Sequence, residues 1–303
     1  MIEFISLDEF ATLGLKPSNV FGSIDFLRIN ASKAEDIICA VNDDGKIGIA
    51  LGKVDKMLCA PWSAPYLSLN ASIHDEKKTE IFGFHLREQL LDKSTRLIFP
   101  PEIHLGIEFN FLKGFYRKQD KIITDTSFYI NLEQSGEESH WNKSARRNLK
   151  RAENAGLKAR LNTNPQLCYE LIARHHKSLG YRMAMTCDEV MATANILPID
   201  FWIAFKDESP VAAMYCYRVR PDMVQVIASG DTPDGRQTGA AIFMERIIID
   251  HYREVFLKKE GKEKALLDHG PTSVGGVQNE GLAAFKSSFG CLMTPKITLT
   301  TIK

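Results

Sequence analysis

Residues Met223 to Tyr252, MVQVIASGDTPDGRQTGAAIFMERIIIDHY, read as a strand, a polar connection and a long apolar helix. Val224, Val226 and Ile227 are β-branched and favour an extended chain. The following Ser229-Gly230-Asp231-Thr232-Pro233-Asp234-Gly235 is rich in residues that end strands. From Ala240 to Ile249 only Glu245 and Arg246 interrupt the apolar residues, the composition of a helix buried on most sides. Between strand and helix, Arg236-Gln237-Thr238-Gly239-Ala240-Ala241 sets small residues at a helix start. Unbonded backbone N–H groups and the positive end of the helix dipole attract an anion there.

The spacing Arg236-x-x-Gly239-x-Ala241 resembles the pyrophosphate-binding signature of the GNAT acyltransferase superfamily. The resemblance implies that Arg236, Gln237, Thr238, Gly239, Ala240 and Ala241 cradle the pyrophosphate of an acyl-coenzyme A. The alternative reading of the same residues is a plain helix start whose small side chains permit close packing.

A chain of 303 residues is long enough for two domains. Hydrophobic content of 44% and charged content of 25% are those of an ordinary globular protein. The 38 basic and 38 acidic residues cancel, so no global field draws the chain to nucleic acid or membrane, and any polyanion site is local. Six scattered cysteines without a C-x-x-C pair read as buried thiols of a reducing compartment. The first residues, MIEFISLDEF, lack the basic and apolar regions of a signal peptide, and no apolar run reaches membrane-spanning length. A cytoplasmic protein is expected.

In the first half, Leu7 to Leu13 reads as a short helix. Asp36 to Val41 and Lys46 to Leu51 read as a hairpin around Asn42-Asp43-Asp44-Gly45. Met57 to Leu69 is apolar but interrupted by Pro61 and Pro65, which argues for an edge segment or the wall of a cleft. Ile81, Phe84, Leu86, Leu90 and Leu91 give Lys77 to Lys93 an amphipathic helical pattern. A strand at Leu97-Ile98-Phe99 stopped by Pro100-Pro101, a helix over Glu102 to Phe115 and a strand over Phe128 to Leu132 complete a mixed α/β unit.

Ser139 to Leu157, SHWNKSARRNLKRAENAGL, places Trp141, Ala145, Leu149 and Ala152 on one helical face and clusters Lys143, Arg147, Lys150 and Arg151 elsewhere. Gly156 is placed to end the helix in a left-handed cap. The basic residues read either as a solvated face or, through Arg147, Lys150 and Arg151, as a surface for phosphate. DNA recognition is not expected, since no short helix and tight turn precede the segment. The run Lys143 to Leu157 resembles the basic helix linking the halves of FemAB-like proteins, double-GNAT acyltransferases that include bacterial peptidoglycan-bridge enzymes.

Two apolar strands at 201–205 and 211–219 flank a hairpin and lead into Met223, giving three antiparallel strands and a helix, the central GNAT arrangement. His175-His176 does not suggest a metal site, because adjacent helical residues diverge and no further ligand lies one turn away. Ala265 to Asp268 reads as a short strand and His269 to Gly276 as a loop at its end. Asn279 to Gly290 reads as a helix with Leu282, Phe285 and Phe289 inward and Lys286 outward. This last segment resembles the FemAB-like pattern of Asn-x-Gly-Leu followed by Phe-Lys and Phe-Gly. By that resemblance Phe285 and Lys286 stand at the reaction centre, with the lysine offsetting negative charge. Alternation from Lys296 to Thr300 marks a final strand.

The resemblance covers the chain from about Asp36 onward. It implies two tandem GNAT-like subdomains of α/β (α+β) class, over residues 1–135 and 136–303, the second entered through a basic helix at 141–156. The implied activity is N-acyl transfer from an acyl-CoA thioester to an amine. An aminoacyl-tRNA donor is the alternative, with transfer RNA as its carrier. No heptad run supplies the coiled-coil arm of some bridge-forming relatives, which favours the thioester. Such chemistry needs proximity, an oxyanion stabiliser and a proton acceptor. Asp268 or a water is the expected base and Tyr217 an expected acid. A non-catalytic module binding a nucleotide or partner on the same fold is the competing class.

Overall fold

The computed structural model describes residues 1–101, 106–134 and 138–301. In chain order the elements are β1 (Ile2–Ile5), α1 (Leu7–Thr12), β2 (Lys16–Pro17), α2 (Ile24–Ile29), β3 (Asp36–Asn42), β4 (Ile47–Val54), β5 (Met57–Ala60) and β6 (Asn70–Ala71). There follow α3 (Glu76–Gln89), β7 (Thr95–Pro101), α4 (Ile107–Phe115), β8 (Lys121–Asn131), α5 (Lys143–Asn154), β9 (Lys158–Leu161), α6 (Pro165–Ser178), α7 (Cys187–Ala194) and β10 (Ile199–Lys206). The last are β11 (Ser209–Arg220), β12 (Met223–Asp231), α8 (Pro233–Thr238), α9 (Ala240–Tyr252), β13 (Leu266–Pro271), β14 (Ser273–Val274), β15 (Val277–Gln278), α10 (Glu280–Ser288) and β16 (Leu292–Thr301).

The chain forms two compact units, one of residues 1–126, 273–277 and 294–303, the other of 127–272 and 278–293. The expected boundary after residue 135 lies outside the described residues. The units divide at Thr126/Ser127, and the alternating final strand belongs to the first unit because it pairs with β7 from Thr301↔Thr95 to Lys296↔Pro101.

In the first unit, β1, β3, β4 and β5 run antiparallel in that order; β5 then pairs parallel with β7, and β7 antiparallel with residues 296–301 of β16. The hairpin turn forms as its sequence dictates, with Gly45 left-handed and its N–H donating to the Asn42 carbonyl. Met57 to Ala60 is an interior strand, contrary to the edge expected from the prolines, because pairing ends before Pro61 removes a donor. Strand β7 runs through both of its prolines. Helix α3 buries Phe82, Leu86 and Thr79, whereas Ile81 and Phe84 are exposed, so its apolar residues exceed its buried face. Residues 102–105 of the expected fourth helix lie outside the described residues, and α4 begins at Ile107.

The second unit repeats the pattern. Strands β9, β10, β11 and β12 are antiparallel, β12 pairs parallel with β13, and β13 antiparallel with residues 127–131 of β8. Helix α6 packs on β11 and β12 from one side, while α9 packs on β10, β11 and β12 and against α5. Trp141, Leu149, Ile248, Tyr252 and Phe289 belong to one buried core. In the first unit the place beside β7 is filled by a strand made elsewhere in the sequence, β16; in the second the place beside β13 is filled by residues 127–131 of β8, which open that unit.

Candidate active site

The site begins where β12 and β13 part. Their parallel pairing covers only Met223↔Leu266, Val224↔Leu267 and Gln225↔Asp268, after which β13 stays with β8 and β12 runs on to Asp231. Beyond Gln225, that edge of β12 has no strand among the described residues. On its other edge the register with β11 shifts between Tyr215↔Ala228 and Cys216↔Val226, so Ile227 forms a bulge. A cleft of about 190 Å³ opens here. Ala212, Ala213 and Met214 of β11, the end of β12, Ala241, Met244 and Glu245 of α9, and Phe285 of α10 line it.

At one side of the cleft His175 of α6 reaches the end of β12. Its Nδ1 lies 2.9 Å from the Asp231 carbonyl oxygen and 3.1 Å from Asp231 Oδ1. The same carboxylate oxygen accepts from Arg236 Nη2 at 2.9 Å. Gly230 makes this approach possible, since a Cβ there would stand 2.8 Å from the His175 Cβ. Neither His175 nor Asp231 was marked by the sequence as a functional pair, because 56 positions separate them.

Behind the cleft lies a buried polar cluster. Asp268 is fully enclosed and accepts from Gln225 Nε2 at 3.0 Å and the Gly270 N–H at 2.7 Å. Lys286 is only 6% exposed, the reverse of its expected outward position, whereas Leu282 is 38% exposed. Its Nζ donates to the carbonyls of His269 at 2.6 Å and Gly270 at 2.9 Å, with Pro271 at 3.4 Å, so β13 supplies the partners that allow an ammonium inside. These carbonyls lie on β13, which extends to Pro271 where a loop from His269 was expected. Burial pulls Lys286 down to about 8, against the attraction of Cys291, Asp268 and Glu245. Burial pushes the Glu245 carboxyl up to about 8 and His269 down to about 3, so both are neutral near pH 7.

The expected site residues therefore fall into three groups. Ala241 and Phe285 line the cleft. Lys286 and Asp268 stand behind it in the cluster, and Tyr217 is placed elsewhere: it is buried with its hydroxyl 3.6 Å from Met185 Sδ, and burial holds its phenol well above the usual range. The donor-loop residues are more regular than expected. Residues 233–238 form the short helix α8, so the Arg236 N–H is spent on the Thr232 carbonyl and Thr238 Oγ1 donates to Asp234. Gln237 is exposed and Ala240 buried. The uncapped helix start belongs to α9, whose N-cap Gly239 is left-handed. A Cβ on Gly239 would sit 2.5 Å from the Asn148 carbonyl oxygen. That contact brings the basic helix α5 against the α9 start, joining two motifs that are far apart in sequence. Arg147, Lys150 and Arg151 are exposed on α5 and form no ion pair among the described residues.

Glu245 was legible only as an interruption in an apolar run, and His269 only as the neighbour of Asp268. Both signals are weak, because the cluster is assembled from α9, β13 and α10.

The sequence matches no protein-family model and no curated protein. Solved structures that share its fold include the following three. FemX is similar with a TM-score of 0.63 at 11% identity, over 100% of this chain and 97% of that one. A conserved protein of unknown function from Bacteroides thetaiotaomicron VPI-5482 has a TM-score of 0.63 at 14% identity, over 100% of both chains. A tandem GNAT protein from the clavulanic acid biosynthesis pathway has a TM-score of 0.51 at 10% identity, over 99% of this chain and 98% of that one. The chain thus has a tandem GNAT fold, the fold it shares with FemX and the tandem GNAT protein: a mixed α/β structure with largely antiparallel sheets. Among the described residues no group of side chains could hold a metal ion, and no helix is long and apolar enough to cross a membrane.

Proposed function

We infer that the protein is an N-acyltransferase that moves an acyl group from an acyl-CoA thioester to an amine. The observation that carries this reading is the cleft at the parting of β12 and β13. An open strand edge there offers backbone groups to the amides of an extended donor arm, as an added strand would use them. The uncapped start of α9, with Ala240 and Ala241, offers N–H groups to the donor's pyrophosphate. The exposed cations Arg147, Lys150 and Arg151 stand on the helix that touches Gly239 and add charge on that side.

Acyl transfer then proceeds by attack of the amine nitrogen on the thioester carbon, with Phe285 shaping the cleft and Lys286 fixing the end of β13 behind it. The amine acceptor is a small molecule or a peptide. The exposed cations of α5 also favour a second reading, in which the donor is an aminoacyl-tRNA. Thermal-shift titration with acetyl-CoA, longer acyl-CoA esters and charged tRNA separates the two. Stabilisation by an acyl-CoA, followed by release of free thiol on adding an amine, is the expected result. Stabilisation by charged tRNA alone would transfer the assignment to the second reading. A response to no donor would leave a non-catalytic binding module.

A further inference from the structure

Glu245 is the only acidic residue between Ala240 and Ile249, and its neighbours on that side of the helix, Ala241, Met244, Ile248 and Ile249, are apolar. It lines the cleft yet is 3% exposed, and it makes no hydrogen bond among the described residues. Its Oε2 faces His269 Nε2 at 3.6 Å, too long for a hydrogen bond, and that nitrogen is also without one. Withdrawing a carboxyl group from water without a donor is costly.

Only Lys286 eases that cost, by its charge and not by a hydrogen bond. From α10, Lys286 spends its protons on the carbonyls of β13. Asp268 of β13 is held by Gln225 and the Gly270 N–H. The thiols of Cys216 on β11 and Cys291 act on the same pocket only as buried neutral groups. Across the cleft, His175 and Asp231 are bonded to each other. The remaining lining nearby is Ala212, Met214, Ala241, Met244 and Phe285. What such a place accepts is a compact group with N–H donors and positive charge on an apolar stem.

We propose that Glu245 is the recognition point for a primary amine: it binds the ammonium form in the cleft and takes the proton whose loss makes the nitrogen nucleophilic. This assigns the acceptor's site and rests on the acyl-transfer reading. The ammonium passes one proton to the Glu245 carboxylate. The free amine then forms the C–N bond at the donor carbonyl, and the C–S bond breaks. The departing thiolate takes the second nitrogen proton, and Glu245 keeps the first, which restores the neutral carboxyl of the empty cleft. In the empty cleft the carboxyl is neutral near pH 7, so entry of a cation must first expel its proton.

That expulsion provides the test. The full chain is titrated calorimetrically at pH 7 with n-butylammonium chloride, in phosphate and in HEPES, which carry no primary amine and whose ionisation enthalpies differ. The expected result is binding with release of close to one proton, at least tenfold weaker binding by Glu245→Gln, retention by Glu245→Asp, and no binding of n-butanol. Equal affinity in Glu245→Gln, binding without proton release, or no binding to the wild-type chain overturns the proposal. If Glu245→Gln fails to fold, the proton count on the wild type decides. Acetyl-CoA is titrated in parallel: its failure to bind removes the donor reading while an intact amine signal leaves the Glu245 site standing.

Discussion

The Nζ of Lys286 lies 2.6 Å from the carbonyl oxygen of His269, which makes this lysine a tie between α10 and the end of β13. It reaches two further carbonyls on the same strand. Lys286→Met keeps the apolar stem and removes every donor, leaving buried carbonyls unpaired. We expect a loss of about 2–4 kcal/mol, read as a lower urea midpoint at an unchanged m-value. A variant as stable as the wild type would mean that water replaces the ammonium.

Titration of the cluster gives a second expectation. Between about 4.5 and 8, Glu245 binds more protons folded than unfolded, so its contribution falls as pH rises through that window. His269 binds fewer protons folded between about 3 and 6.5, so its contribution rises over that range. The two oppose each other up to about pH 6.5, and above it Glu245 acts without His269. Wild-type stability should therefore fall, relative to Glu245→Gln, by on the order of 2 kcal/mol between pH 6.5 and 8. Urea midpoints of both proteins across that range check it; parallel curves would place the Glu245 carboxyl in the ordinary range.

Two neighbouring small residues should behave differently. Gly239→Ala adds a Cβ against the Asn148 carbonyl in a left-handed backbone position, and should destabilise the second unit by at least about 1–2 kcal/mol with or without a donor. Ala241→Leu projects into the cleft instead, and should abolish acetyl-CoA-induced stabilisation while leaving the unliganded melting temperature nearly unchanged. Undiminished stabilisation of the Ala241 variant would place the donor outside this cleft.

The exposed cations of α5 can be reversed without touching the core. Arg147→Glu, Lys150→Glu and Arg151→Glu together should leave the urea midpoint unchanged. They should weaken coenzyme A binding and flatten its salt dependence, measured as affinity between low and physiological salt. An unaltered salt slope would return α5 to the role of a solvated face.

Much of the fold was legible because local chemistry and tertiary packing agree. Gly45 and Gly156 take the left-handed turns their positions imply, and Met223 to Tyr252 is a strand, a connection and a helix. Local reading failed where a distant partner decides. Lys286 turns inward because carbonyls some 15 to 17 positions earlier await it. Met57 becomes part of an interior strand because β7 supplies a neighbour. Of the expected catalytic residues, Phe285 is one that lines the cleft, since spacing along the chain says nothing about which strand ends converge. Glu245 and the His175–Asp231 pair become visible only when α6, α9 and β12 are assembled.

The pairing of residues 296–301 with β7 also sets an order of events during synthesis. When the ribosome has made Thr126, the first unit still lacks a sheet strand, and that strand emerges only after the whole second unit has been translated. At about 5–20 residues per second the wait is roughly 10–35 s, during which β7 carries an unpaired edge. The second unit, interrupted only briefly in the sequence, can close first. A chain truncated before residue 294 would therefore injure the unit that was begun earliest, leaving the nascent protein exposed at β7 to chaperones and to other chains.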